Sequence, residues 1–184
     1  MSAEKRDAEV ITLGSGNLLC KEYTDEMPAY TEFDDDADLL GRISGGATLE
    51  YKGTWYEVKD DSGKVAKTLI TEEEATLKSG VLTWNGKTLA KLCSTARITE
   101  ADGIRTVKIG GVGNHNGKSY ALCFHYVDPA DGDIWVVVRG VNQAGFSFAF
   151  VKDKETVIDV EFKCLPQDDE GTLIQYVEEI ASAT

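Results

Sequence analysis

From Gly45 to Lys78 the chain alternates. Ala47, Leu49 and Tyr51 are apolar, and Thr48, Glu50 and Lys52 beside them are polar. A period of two puts the two sets on opposite faces of a β-strand. The run continues through Trp55, Tyr56 and Val58, residues that suit a pleated, half-buried surface. Asp60-Asp61-Ser62-Gly63 supplies a turn, with Gly63 free to take a positive φ. The chain then returns from Val65 through Glu72, Glu73, Glu74, Ala75 and Leu77 to Lys78. The pattern predicts one long β-hairpin over 45–78. Ala47 to Val58 alone spans about 40 Å at ~3.3 Å per residue. A two-stranded ribbon of that length is marginal by itself and needs a sheet, or further copies of itself, to lie against.

The same reading places other elements around the hairpin. Residues 1–12 are expected to form a mobile arm. Leu13 to Cys20 reads as a turn leading into a strand. Asn85 is a helix N-cap, because its side chain can accept from backbone N–H groups two or three residues on. Leu89, Leu92, Cys93 and Ala96 then share one helical face, predicting a helix over 85–96 of about three turns. Arg105–Ile109, Tyr120–Val127, Ile134–Val138 and Val157–Cys164 read as strands, and Phe146, Phe148 and Phe150 alternate with smaller residues. Asp128-Pro129-Ala130-Asp131-Gly132 is a turn signal. Thr172 to Ile180, within a C-terminal segment over 166–184, suits either a strand or a short helix. Many strands and one helix predict a mainly β single domain, a β-sandwich or partly open barrel with one flanking α-helix.

Charge changes the picture in one place. The net charge is -13, from 19 basic and 32 acidic residues, which disfavours wrapped nucleic acid because phosphate binding needs Lys and Arg clusters. Eight of the acids fall in residues 22–38 with no base between them. Tyr23, Tyr30 and Phe33 are interspersed with them, so 22–39 is expected to be a long exposed loop, either mobile or used for contact. The four cysteines, Cys20, Cys93, Cys123 and Cys164, form no C-x-x-C pair and sit among apolar neighbours. Buried reduced thiols, and synthesis in a cytoplasm, are the expectation. No apolar run approaches the ~20 residues of a membrane helix, and no apolar stretch behind Met1–Asp7 marks a secretory signal.

Candidate chemistry adds little. Asp34-x-Asp36-x-Asp38 begins like a calcium loop, but Leu39 stands where the sharp-turn glycine belongs and Gly45 where the bidentate Glu belongs. Gly117-Lys118-Ser119 resembles the end of a P-loop without its first glycine, which Val112 replaces. His115 and His125 lack the spacing of a metal pair. Catalysis, cofactors and metals are therefore not expected. Trp55, Tyr56, Trp84 and Trp135 are the residues from which a carbohydrate platform would be built, although Trp84 and Trp135 stand in apolar runs that favour core packing.

Several whole segments resemble the major tail tube protein of tailed phages and prophages of Gram-positive bacteria. They are Ile43–Tyr51, Leu77–Gly86, Arg105–Gly111, Val141–Phe146 and Lys152–Asp159, and the similarity runs from about Leu13 to the end. The resemblance implies a sandwich with a helix. Six copies would close into a ring, and rings would stack into a hollow virion tail tube that conducts genomic DNA. Its partners would be further copies, a tape-measure protein within, and terminator and baseplate proteins at the ends, with no membrane and no cofactor.

The residues fit that implication independently. Hairpins side by side would pair their edges into an inner barrel, with Ala47, Leu49, Tyr51, Ala75 and Leu77 forming the ring. One ribbon face would look into the channel, with Glu50, Glu72, Glu73 and Glu74 as candidate lumen acids. DNA carries one charge per ~1.7 Å, so an acidic wall would repel it over a range of about 8 Å in physiological salt. Tyr23, Tyr30, Phe33, Asp34, Asp35 and Asp36, with the two termini, are the expected ring-stacking segments, ordering on contact. The rival readings are the tube of a contractile particle or phage-derived bacteriocin, a tail terminator, and a monomeric β-sandwich carbohydrate-binding module.

Overall fold

A computed structural model describes residues 12–147 and 149–180. The expected arm over 1–12, Thr12 apart, and the last four residues of the C-terminal segment lie outside that range. The protein is mainly β. Among the described residues the strands are, in chain order, β1 (Asn17–Glu22), β2 (Leu39–Gly41), β3 (Ile43–Lys59), β4 (Val65–Val81), β5 (Arg97–Ala101), β6 (Ile104–Lys108), β7 (Tyr120–Tyr126), β8 (Ile134–Asn142), β9 (Ile158–Leu165) and β10 (Gln175–Glu178), with one α-helix, α1 (Gly86–Leu92), between β4 and β5.

The large antiparallel sheet runs β2-β1-β7-β8-β9-β4-β3, and β5 and β6 form a separate hairpin. The first and last strands of that path, β2 and β3, are separated in the chain by Arg42 alone. The two ends of the sheet therefore meet, and it must curl into a partly open barrel. Hydrogen bonds seal the junction: Arg42 N–H donates to Thr83 Oγ1 at 2.7 Å, and Leu82 N–H donates to the Arg42 carbonyl at 2.7 Å. Gly41 is required there, because a Cβ would stand 2.1 Å from the Thr83 carbonyl oxygen. β8 carries a fork, with β9 pairing to Arg139–Asn142 and β10 to Ile134–Val137.

Alternation explains the core. Leu18 and Cys20, Leu122, Val136 and Val138, Ile158, Val160, Phe162 and Cys164, and Ala75, Leu77 and Val81 point inward and form one cluster. Strands with one buried face place every second residue there. α1 plugs the barrel end near Asn142, driving Leu92 into the cluster. It is tied to three strands: Thr88 Oγ1 donates to the Leu40 carbonyl, Lys91 Nζ to the Cys20 carbonyl, and Asn142 Nδ2 to the Leu92 carbonyl.

Asn85 is the N-cap expected. Its side chain accepts from the Lys87 and Thr88 N–H groups, and Thr88 Oγ1 accepts from the Asn85 N–H in return. Asn85→Ala is expected to cost about 1 kcal/mol, read as a lower urea midpoint at unchanged slope. The helix is shorter than the periodicity predicts, ending at Leu92 with Cys93 extended at φ -131°. Tertiary hydrogen bonds take the following residues away: Asn116 N–H donates to the Ser94 carbonyl and Gly110 N–H to Thr95 Oγ1.

Three cysteines are buried, as expected, and Cys93 is partly exposed. Burial pushes the thiols of Cys20 and Cys123 up to about 12 and that of Cys164 to about 11. The thiolate is the reactive form. Near pH 8 a thiol reagent should therefore label Cys93 first and leave Cys20 and Cys164, which face the core, blocked until the chain unfolds, as peptide mass mapping would show.

The described part of 144–150 forms no strand, against the alternation of its phenylalanines; Gly145 at φ 71° turns the chain, and Phe146 packs on the core instead. The segment 172–180 resolves as strand β10. No described helix is long and apolar enough to cross a membrane.

Candidate assembly interface

The predicted hairpin is present and longer than expected at both ends, with β3 and β4 each 17 residues long. Asp60 makes the turn: its Oδ1 accepts from the Ser62 and Lys64 N–H groups, and Gly63 takes φ 80°. Only Thr76–Val81 of β4 pairs with β9. Residues 65–75 pair with β3 alone, so the ribbon projects from the barrel with both edges open over that length.

Register sorts its side chains. Cross-strand partners share a face. Leu49 opposite Leu77, Tyr51 opposite Ala75, and Gly53 opposite Glu73 lie on the core side. Thr48 opposite Lys78, Glu50 opposite Thr76, Lys52 opposite Glu74, and Thr54 opposite Glu72 lie on the other side. β9 extends that second face with Asp159, Glu161 and Lys163, which stand beside Gly80, Lys78 and Thr76.

The predicted lumen acids therefore divide. Glu50, Glu72 and Glu74 share the outer face, and Glu73 is on the core side, accepting from the Tyr51 hydroxyl. The outer face is also ion-paired. Lys78 Nζ is 2.9 Å from Glu50 and 3.6 Å from Glu161, and Lys163 Nζ is 3.6 Å from Glu74. The Lys78 hydrogen bond holds the Glu50 carboxyl below the usual carboxylate range, and Glu50 correspondingly holds the Lys78 ammonium above its own. Up to the bulge after Thr54 this face carries five carboxylates (Glu50, Glu72, Glu74, Asp159, Glu161) and three ammoniums (Lys52, Lys78, Lys163), a net charge of -2.

The predicted ring-forming residues divide too. Ala75 and Leu77 are in the core, Ala47 is half-buried, and Leu49 and Tyr51 are exposed. Beyond them the ribbon exposes Trp55 (62%), Tyr56 (59%), Val58, Val65, Leu69 and Ile70. At the bulge after Thr54, Ile70 folds back over Gly53, where a Cβ would meet its Cδ1 at 2.7 Å. Exposed apolar groups gathered this densely on a ribbon with open edges make it the candidate interaction surface.

The segment 22–39 is not an open loop. Tyr23 lies under the Arg139 guanidinium at 4.0 Å, and Tyr30 packs on Trp135 at 4.9 Å. Met27, Tyr30, Phe33 and Leu39 cover Leu19, Cys123 and Val137 on the outer face of the sheet. Asp34 Oδ1 caps the turn through the Asp36 and Ala37 N–H groups, and Asp35 meets His125. Asp36 and the other exposed acids of the segment face outward. Among the described residues no cluster of His, Cys, Asp or Glu is placed to hold a metal ion. The four aromatic residues of a carbohydrate platform are not brought together: Trp135 stacks on His125 and Trp84 packs towards Phe150, leaving Trp55 and Tyr56 on the ribbon.

No protein-family model matches the chain, and no curated protein sequence matches it.

Proposed function

We propose that this chain is a structural subunit of a hollow tube, resembling the major tail tube protein of tailed phages, and that its ribbon is the ring-forming element. The observation that carries the reading is a two-stranded ribbon with both edges open and apolar groups on it exposed. An isolated ribbon of this kind is marginal, and an open apolar edge invites pairing with another chain. Identical ribbons pairing edge to edge satisfy both needs at once and close on themselves under cyclic symmetry.

The same geometry favours one ribbon face as the inner one. The barrel body occupies the core side of β4 and β9, so a wall built from these strands carries the bodies outside. Glu50, Glu72 and Glu74 then look into the channel with Lys52, Lys78 and Lys163 among them. Most of those cations are already held by carboxylates, so a passing polyanion meets a wall that offers few free ammoniums and is negative in sum. DNA is the cargo this wall suits, without specific binding. Negative-stain electron microscopy over a concentration series tests the reading: rings or tubes of constant bore are expected, and a monomer at every concentration, with no ribbon-to-ribbon crosslink from a cysteine placed at Thr68, would defeat it.

A further inference from the structure

His125 lies on the outer sheet face, under the acidic segment, with its side chain 12% exposed. Its Nδ1 is 3.0 and 2.9 Å from the two Asp35 oxygens, and its Nε2 is 3.2 Å from Asp133 Oδ2. Trp135 stacks on the ring at 4.9 Å and 13°. An ionised carboxylate accepts hydrogen bonds and donates none, and a neutral imidazole has a single N–H. One carboxylate at each ring nitrogen therefore requires an imidazolium, unless a carboxyl carries the proton instead. Both carboxylates have further donors, as ionised groups do: Asn17 Nδ2 donates to Asp35 at 3.3 Å and Asp128 N–H to Asp133 at 2.7 Å.

The geometry points to His125 as a pH-sensitive clamp, whose imidazolium ties Asp35 of the covering segment to Asp133 of the β7–β8 turn and whose deprotonation frees that segment from the sheet. The charged groups bonded to the ring are carboxylates on both sides. Asp35 faces it from the segment and Asp133 from the turn. Behind Asp133 stand Asp128 and Glu179, the latter accepting from the Asp133 N–H at 3.3 Å. Without the imidazolium charge, Asp35 and Asp133 are two like charges held apart by a neutral ring that can donate to only one of them.

The segment has further anchors beside the ring. Lys21 Nζ holds the Glu32 carbonyl at 2.6 Å and the Asp38 carboxylate at 3.2 Å, and Cys20 N–H donates to the Asp38 carbonyl. The docked state holds a proton that the open state releases. Docking therefore weakens as rising pH takes the proton from the ring. What opens is the cover over Leu19, Cys123 and Val137. The clamp does not depend on the tube reading.

Two measurements decide it. The chain has two histidines, so His115→Gln leaves His125 as the sole imidazole signal. Its ¹⁵N shifts at pH 6 should report both nitrogens protonated, and a neutral tautomer at that pH would overturn the clamp. Second, the labelling rate of Cys123 in His125→Phe is compared with that of the unaltered chain at each pH, which cancels the thiol's own pH dependence. A hydrogen bond to a charged group is worth roughly a tenfold change or more, so the variant should label at least about tenfold faster at pH 6. The ratio should fall towards one by pH 8.5. A ratio independent of pH would mean that the ring only fills space. Should His125→Phe fail to fold, Asp35→Asn removes the same bridge and must give the same pH-dependent ratio.

Discussion

Replacing residues 53–73 with Asn-Gly should leave a folded protein that forms neither rings nor tubes. The cut removes the part of the ribbon that pairs with nothing but itself, and it rejoins the strands where Lys52 stands opposite Glu74. Asn-Gly is the two-residue turn whose twist matches paired strands. The pairing of Thr76–Val81 with β9 is retained, as are Ala75, Leu77 and Val81 in the core. Midpoints of thermal unfolding should shift by no more than a few degrees, because the deleted side chains are almost all exposed. Assembly should be abolished outright, since the projecting part of the ribbon, with its two open edges, and the residues from Trp55 to Ile70 are lost together. Tubes of normal bore from the shortened chain, in electron micrographs, would show that the ribbon is not the ring-forming element.

The ribbon was readable from the sequence because its pattern is local: alternation, an Asp-rich turn with Gly63, then alternation again. Its apolar residues mislead on burial. Leu49, Tyr51 and Trp55 carry a core-like pattern, yet the barrel ends before it reaches them. Three consecutive glutamates cannot share one strand face, so the separation of Glu73 from Glu72 and Glu74 follows from the period of two alone. The lysines that pair with these acids are another matter. Lys163 joins Glu74 only because β9 neighbours β4, and strand order is invisible to periodicity.

The acidic segment shows the same limit. Its composition says solvent, but its anchors, His125, Trp135 and Arg139, lie about a hundred positions along the chain, brought near by the sheet. The hairpin of β5 and β6 did have a local signal, Asp102-Gly103 with both φ values positive, at 51° and 75°, which is the two-residue turn that joins strands. The helix end was lost because competition from Asn116 and Gly110 is tertiary.

If the chain builds the proposed tube, reversing two charges on the outer face should turn a channel that does not hold DNA into one that retains it. Glu72→Lys with Glu74→Lys changes the face from a net charge of -2 to +2 per subunit, counted over the same five carboxylates and three ammoniums. Glu50, Lys78 and Glu161 keep their bridge, so the strands at the ribbon root stay in register. Lys163 loses its partner and becomes a free cation. Repeated around a ring and along a stack, these ammoniums follow the phosphates at close spacing, and contact with six to ten of them makes binding fall by about 10³–10⁵-fold between 50 and 200 mM salt. The double variant should therefore form tubes, bind double-stranded DNA tightly at 50 mM salt and release it at 200 mM, whereas the unaltered tube binds at neither. Fluorescence anisotropy of a labelled duplex, with micrographs to confirm assembly, reads both quantities. Equal, negligible binding by assembled variant tubes would place the Glu50 face away from the channel and the core-side face, with Glu73, within it.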